Sequence, residues 1–154
     1  MKSAVTHALI IAFFTTAPAW AADTPKPEPK DPALEDARAA IEKRDWAGAQ
    51  GILRSAVAGN PRNADYHNLY AYSMRMGVHP SMDLVFRHYN EALRLDPRHR
   101  AAHEYIGEAY LMSGNVPKAK EHLAQLDKLC TFGCEEYTKL KKEVAAYEQQ
   151  QAKK

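Results

Sequence analysis

Between Pro32 and Gln151 the apolar residues recur at helical spacing, and no sustained two-residue alternation interrupts them. Leu34, Ala37, Ala40 and Ile41 fall on one helical face, as do Ile52, Leu53, Ala56 and Val57. Further along, Leu69, Tyr72 and Met76 form a stripe, and so do Leu123, Leu126 and Cys130. No Asn-Gly or Asp-Gly pair marks a hairpin. Helix starts are marked where Asp31 precedes Pro32, and where Asn115 precedes a run with Pro117 near its beginning. After Gly133 the chain opens a segment with Glu135 and Glu136, charges favoured at a helix N-terminus, and sets Tyr137, Leu140, Val144 and Tyr147 in one stripe. The pattern predicts seven helices and an all-α fold.

The punctuation repeats. Pro61 and Pro97 stand 36 residues apart, each five residues after an alanine, Ala56 and Ala92. The breaks at Gly77 and Gly114 stand 37 residues apart. A period of this size marks helix-pair repeats. Each pair carries an apolar stripe too wide to leave in water and too small to bury alone, so stacked copies join their stripes into one core.

The sharpest copy reads His103-x2-Ile106-Gly107-x2-Tyr110, then Gly114, then Ala119-x3-Leu123. The middle copy reads Tyr66-x2-Leu69-Tyr70-x2-Ser73, then Gly77, Val85-x3-Tyr89, Ala92 and Pro97. In the first copy the second helix fits, with Trp46, Ala49, Leu53, Ala56 and Pro61, while the first helix lacks the glycine and tyrosine. These residues resemble the tetratricopeptide repeat across roughly residues 31–130. The middle copy departs from the pattern twice: Tyr70 replaces the small residue, and three extra residues around Val78-His79-Pro80-Ser81 lengthen the turn. The resemblance implies a right-handed α-solenoid of about three helix pairs, with residues 135–147 as a polar-backed capping helix.

The resemblance also implies a concave groove, lined by the first helix of each pair, that holds a peptide or a partner's helix. Carried onto this chain it places His67, Ala71, Met74 and Arg75 of the middle copy, and Glu104, Glu108, Leu111 and Met112 of the last, toward that groove. The set lacks the run of basic and amide residues that lets some members clamp a terminal carboxylate. The expected partner is another protein or peptide segment. The convex face and the proline-rich leader are the alternative binding surfaces, and self-association through the stack ends is a further one.

The ends of the chain add a destination. Lys2 precedes the apolar run from Ala8 to Phe14, and Ala19-Trp20-Ala21 follows, the layout of a cleavable secretory signal. The run is shorter than the ~20 apolar residues a membrane anchor needs. Cleavage is expected after Ala21, with Ala17-Pro18-Ala19 as a second site, leaving no membrane span. Residues 22–30 then form a leader in which prolines alternate with charged or polar residues, a composition closed to helix interiors. A repeat domain over 31–148 and a polar tail over 149–154 complete the organisation. The expected location is the periplasm or another extracytoplasmic space. Lys2 is the one charged residue of 1–21, so 21 basic residues become 20 against 19 acidic ones, a formal charge of +1. That balance argues against a dedicated nucleic-acid or anionic-membrane binder.

Export also changes the reading of Cys130 and Cys134, the only cysteines, in Cys130-Thr131-Phe132-Gly133-Cys134. Paired cysteines usually bond in an oxidising space. A structural disulfide is expected, stabilising by at most about 2 kcal/mol for so short a loop. A redox-active pair would depart from the two-residue spacing of thioredoxin-like sites. A zinc site would need two more ligands, His122 being the nearest candidate. Met74, His79 and Met82 supply soft ligands suited to Cu(I), so a copper- or thiol-handling protein is the alternative function. The basic run Arg87, His88, Arg94, Arg98, His99, Arg100 and His103 reads as a solvated face balanced by Glu91, Asp96 and Glu104. No nucleophile elbow, zinc-protease motif or phosphate loop occurs, so neither an enzyme nor a cofactor is expected.

Overall fold

The structure is a computed structural model that describes residues 30–153; residues 1–21, expected to be a cleavable signal, and the expected leader up to residue 29 lie outside the described residues. Seven helices occupy the described chain: α1 (Pro32–Glu42), α2 (Trp46–Gly59), α3 (Ala64–Met76), α4 (Met82–Leu95), α5 (Arg100–Met112), α6 (Val116–Leu129) and α7 (Glu135–Gln151). Among the described residues there is no strand.

Side chains just before the helices set their starts. Asp31 Oδ1 accepts from the amides of Ala33 and Leu34, at 3.0 and 3.2 Å, and Pro32 fills the first helical position. Asp45, Asn63 and Asn115 cap α2, α3 and α6 through the amide three residues on. Such caps satisfy backbone donors that the first helical turn leaves free.

The turns between repeats are copies of one another. In Asn60-Pro61-Arg62-Asn63, Asn60 Oδ1 accepts from Arg62 N and Asn63 caps α3. In Asp96-Pro97-Arg98-His99, Asp96 Oδ1 accepts from Arg98 N and His99 Nδ1 caps α5. The second turn lies 36 residues after the first, which fixes the register of α3 on α5.

Each helix packs against the next, and α1 on α3, α3 on α5 and α5 on α7 close the stack. The core is divided along it. Leu34, Ala37, Ala49, Leu53, Tyr66 and Leu69 join α1, α2 and α3. Ala71, Val85, Tyr89, Ile106 and Ala109 join α3, α4 and α5. Leu111, Ala119, Leu126, Leu140 and Val144 join α5, α6 and α7. Every cluster draws on three consecutive helices, as a nearest-neighbour stack requires. This is an all-α helical-repeat solenoid with α7 covering its open end.

Two boundaries differ from the sequence expectation. Helix α7 continues through Gln149, Gln150 and Gln151, because glutamine is a good helix former, so the polar tail starts at Ala152 rather than at 149. The α3–α4 connection holds five residues, 77–81, against three, 113–115, between α5 and α6, so the insert is two residues and not three.

At Gly107 of α5 the helix lies directly against Leu140 of α7. A Cβ there would stand 2.6 and 2.8 Å from the two methyl carbons of Leu140, which is fully buried. Overpacking costs about 1–3 kcal/mol, and alanine's helix propensity returns about 1 kcal/mol. Gly107→Ala should therefore lower stability by roughly 1 kcal/mol in urea unfolding. In a Leu140→Ala background the same substitution should stabilise. A stabilising Gly107→Ala in the otherwise native chain would mean that the Leu140 methyl groups make way for the added Cβ at little cost.

Candidate functional site

A cleft of about 680 Å³ opens where the exposed edges of α3 and α5 face the second half of α7. Its floor carries Tyr72, Arg75 and Met76 from α3 and Glu108, Leu111 and Met112 from α5. These are two equivalent sets, offset by 36 residues. Glu143, Ala146, Tyr147, Gln150 and Gln151 of α7 form the wall that faces them.

Arg75 anchors the floor. Its buried guanidinium donates to Glu108 Oε2 at 2.6 Å, to the Tyr89 hydroxyl at 3.3 Å and toward Met112 Sδ at 3.6 Å. It also lies 5.4 Å from the centre of the Tyr72 ring. One side chain thus ties α3, α4 and α5 together and is satisfied within the chain. Beside this neutralised pair, Met76 and Met112 are 41% and 57% exposed, large apolar side chains with no covering partner among the described residues.

The structure corrects part of the expected groove. Of the eight residues placed there, Arg75, Glu108, Leu111 and Met112 line the cleft. His67 turns toward α4, with its Nδ1 2.9 Å from His88 Nδ1 and its Nε2 2.9 Å from the Pro61 carbonyl. Ala71 is fully buried among α4 and α5, and Met74 packs against the same core. The cause is a one-residue register error in the middle copy. The repeated turns align His67, Tyr70, Ala71 and Met74 with His103, Ile106, Gly107 and Tyr110. Ala71 is therefore the small residue, and Tyr70 does not replace it. The α3 residues that line the cleft are Tyr72, Arg75 and Met76, of which sequence reasoning found only the second. The signal was present in the Pro-Arg dipeptides at 61–62 and 97–98.

Glu104 shares the face of Glu108, Leu111 and Met112 but is only 4% exposed, covered where α7 begins. Burial pushes its carboxyl up to about 7, with Glu108 adding to the effect and Lys139 opposing it. The equivalent residue on α3 is Asn68, 2% exposed, whose Oδ1 has no hydrogen-bond partner.

The remaining candidates line no part of the cleft. Met74 and Met82 both pack on the core of α3–α5, and His79 is exposed in the α3–α4 loop with φ 55°. Among the described residues no three His, Cys, Asp or Glu side chains are placed to hold a metal ion. His122 pairs with His103 rather than with the cysteines. Cys130 and Cys134 lie with Cα atoms 5.5 Å apart and sulfurs 2.06 Å apart, Cys130 closing α6 and Cys134 opening α7. The basic run is locally balanced: Arg94 pairs with Glu91, His99 with Asp65 and Arg100 with Glu136. No helix among the described residues is long and apolar enough to cross a membrane.

Comparison with known proteins adds the following. The tetratricopeptide repeat family matches residues 87–130, from within α4 to the end of α6. Among solved structures, the type III secretion translocator chaperone SycD of Yersinia enterocolitica superimposes with a TM-score of 0.67 at 12% identity, over 78% of this chain and 83% of that one. The same chaperone in complex with a peptide of the translocator YopD gives 0.62 at 13% identity, over 75% and 86%. The tetratricopeptide-repeat domain of Arabidopsis OM64 gives 0.65 at 16% identity, over 75% and 93%. No curated protein matches the chain in sequence.

The raised carboxyl of Glu104 has a sign that can be checked. In the folded chain it holds its proton up to about pH 7, whereas unfolded it releases it near the ordinary carboxylate range. Between these limits the folded state binds more protons, so the stability Glu104 contributes is complete at low pH and lost as pH rises through about 7. Glu104→Gln should leave stability unchanged near pH 4 and raise the melting temperature at pH 8 by roughly 4 °C, the shift expected of about 1 kcal/mol. A variant that melts lower at pH 8 would show that the carboxylate is held by a partner.

Proposed function

We propose that this chain, a tetratricopeptide-repeat protein, is an interaction adaptor that takes an apolar segment of a partner protein into the cleft between α3, α5 and α7. The observation that carries the reading is the pair Met76 and Met112, exposed on the floor of a concave cleft beside the internally satisfied Arg75–Glu108 pair. Flexible, polarizable methionines suit surfaces that adapt to a partner's side chains. A concave, partly apolar site with a few fixed polar groups is the usual form of a binding pocket. The solved SycD chaperone with a translocator peptide is a likeness that supports binding of a segment rather than chemistry. No catalytic step is assigned.

The adaptor works in an extracytoplasmic space in this proposal. Support comes from the short apolar run after Lys2 and the small residues at Ala19 and Ala21. In such a space Cys130 and Cys134 persist as a disulfide.

Two measurements test these statements separately. In-cell crosslinking and capture should enrich a partner that a Met76→Glu, Met112→Glu variant loses at least about tenfold, equivalent to roughly 1.4 kcal/mol, while its circular dichroism stays helical. Both side chains are surface residues, so folding should survive. Undiminished capture by the folded variant would sink the cleft as the site. Protein recovered from cells without reductant should show no free thiol until reduced; two reactive thiols at recovery would refute the extracytoplasmic disulfide.

A further inference from the structure

Two pairs of histidines occupy equivalent places in successive repeats, and the cleft uses neither. His67 on α3 meets His88 on α4 with their Nδ1 atoms 2.9 Å apart. His103 on α5 meets His122 on α6 with the same atoms 2.9 Å apart. The other nitrogen of each first ring faces a turn carbonyl: His67 Nε2 lies 2.9 Å from Pro61 O, and His103 Nε2 lies 3.1 Å from Pro97 O.

The partners dictate where the protons are. A carbonyl oxygen only accepts, so Nε2 of His67 and of His103 carries a hydrogen. A neutral imidazole has one N–H, which leaves the Nδ1 of these rings bare. The hydrogen between the two Nδ1 atoms therefore belongs to His88 or to His122. Each pair is a short relay that runs from the second helix of a repeat, through its first helix, into the turn that joins the preceding repeat.

We infer that each histidine pair is an acid-labile clasp between the two helices of its repeat, closed by one proton on the Nδ1–Nδ1 line and opened when both rings are protonated. A first added proton goes to Nε2 of His88 or His122 and leaves the bond standing. A second, on Nδ1 of His67 or His103, sets N–H against N–H and faces two like charges across a partly buried contact. Atoms and charge balance with protons from solvent alone.

The surroundings do not rescue the charged form. Burial holds His88 below its ordinary range, with His67 and Arg87 adding to the effect and Glu91 opposing it. Burial, then His103, pushes His122 down to about 4. His103 is lowered by burial, partly offset by its bond to Pro97. Around the first pair, Arg87 and Glu91 face it from α4, and Tyr70 of α3 packs on His88 while its hydroxyl accepts from Arg54 of α2. Around the second, Asp96 and His99 face it from the turn, Lys118 and Glu121 from α6, and Tyr110 of α5 stacks on His122. Glu91 is already bound to Arg94, and Glu121 to Lys118, so neither carboxylate is free to hold an imidazolium. The unfolded rings bind protons near pH 6.5. The stability is therefore complete above about pH 6.5 and lost as pH falls through the lowered values.

The test uses the full chain. Nitrogen-15 histidine spectra from pH 8 to 3.5 should show His67 and His103 as Nε2–H tautomers and His88 and His122 as Nδ1–H tautomers, with His88, His103 and His122 protonating below the ordinary histidine range. A His88→Asn, His122→Asn variant keeps a donor at the δ position but cannot titrate. Its acid-unfolding midpoint should drop by about half a pH unit or more, because fewer protons are taken up on unfolding. Rapidly averaging tautomers, His88, His103 and His122 rings that all titrate near pH 6.5, or an unmoved midpoint in the variant would each overturn the clasp. So would zinc ions displacing the bridging protons and stabilising the fold, since the pairs would then be metal sites. If the variant fails to fold, the wild-type tautomers still decide.

Discussion

The approach of α7 to α5 is set by a missing side chain. Gly107 offers no Cβ, and the methyl groups of Leu140 occupy that space. This contact joins the last helix to the stack and fixes where its second half lies. Leu140 is seven residues before Tyr147, about 10.5 Å along a helix at 1.5 Å per residue. A tilt of α7 at Gly107 would therefore be magnified at the cleft wall. The equivalent position on α3 is Ala71, also fully buried, where α4 and α5 close on it. The repeat tolerates only the smallest residues where its helices cross, and the cleft inherits its width from that requirement.

Much of this was legible in the sequence, and the part that was not has a physical cause. All seven helices, the capping role of α7 and the caps at Asp31 and Asn115 follow from apolar spacing and helix-start chemistry. The groove face of α3 did not follow. That helix lies among α1, α2, α4 and α5, and Tyr66, His67, Asn68, Leu69, Ala71, Ser73 and Arg75 are all buried. A helix covered on so many sides has no single apolar stripe, so periodicity cannot orient it. Leu69 and Tyr70 compete for the same place in the pattern, and the more apolar Leu69 misleads. The polar turns are better rulers, because Asn60 and Asp96 make the same backbone bond 36 residues apart. Tyr147 and Gln150 were missed for another reason: a wall supplied by a helix outside the repeat carries no repeat signal.

Buried ionisable groups give the stack two opposing pH dependences. Glu104 loses its contribution as pH rises through about 7, because burial under the start of α7 penalises its charge. The histidine rings lose theirs as pH falls, because burial between paired helices penalises theirs. The two slopes oppose one another between roughly pH 4.5 and 6.5, where the folded carboxyl and the unfolded rings both hold protons. They also act at different places. Glu104 lies between α5 and α7, whereas the histidines lie within repeats. Acid should therefore loosen the helix pairs before the cap, and base the cap before the pairs.

That separation bears on how the cleft could yield. Its floor rests on α3 and α5, tied across repeats by Arg75 and Glu108, while its wall rests on α7. The wall is fixed at Gly107 and at the α6–α7 hinge, where Cys130 closes one helix and Cys134 opens the next. A five-residue hinge keeps the start of α7 close to the end of α6, so a swing of the wall must carry Leu140 away from Gly107. Floor and wall therefore respond to different groups: the floor to histidines that clasp α3 to α4 and α5 to α6, the wall to a carboxyl under α7. A stack whose units touch only their neighbours can keep such responses separate, because no single core has to carry both.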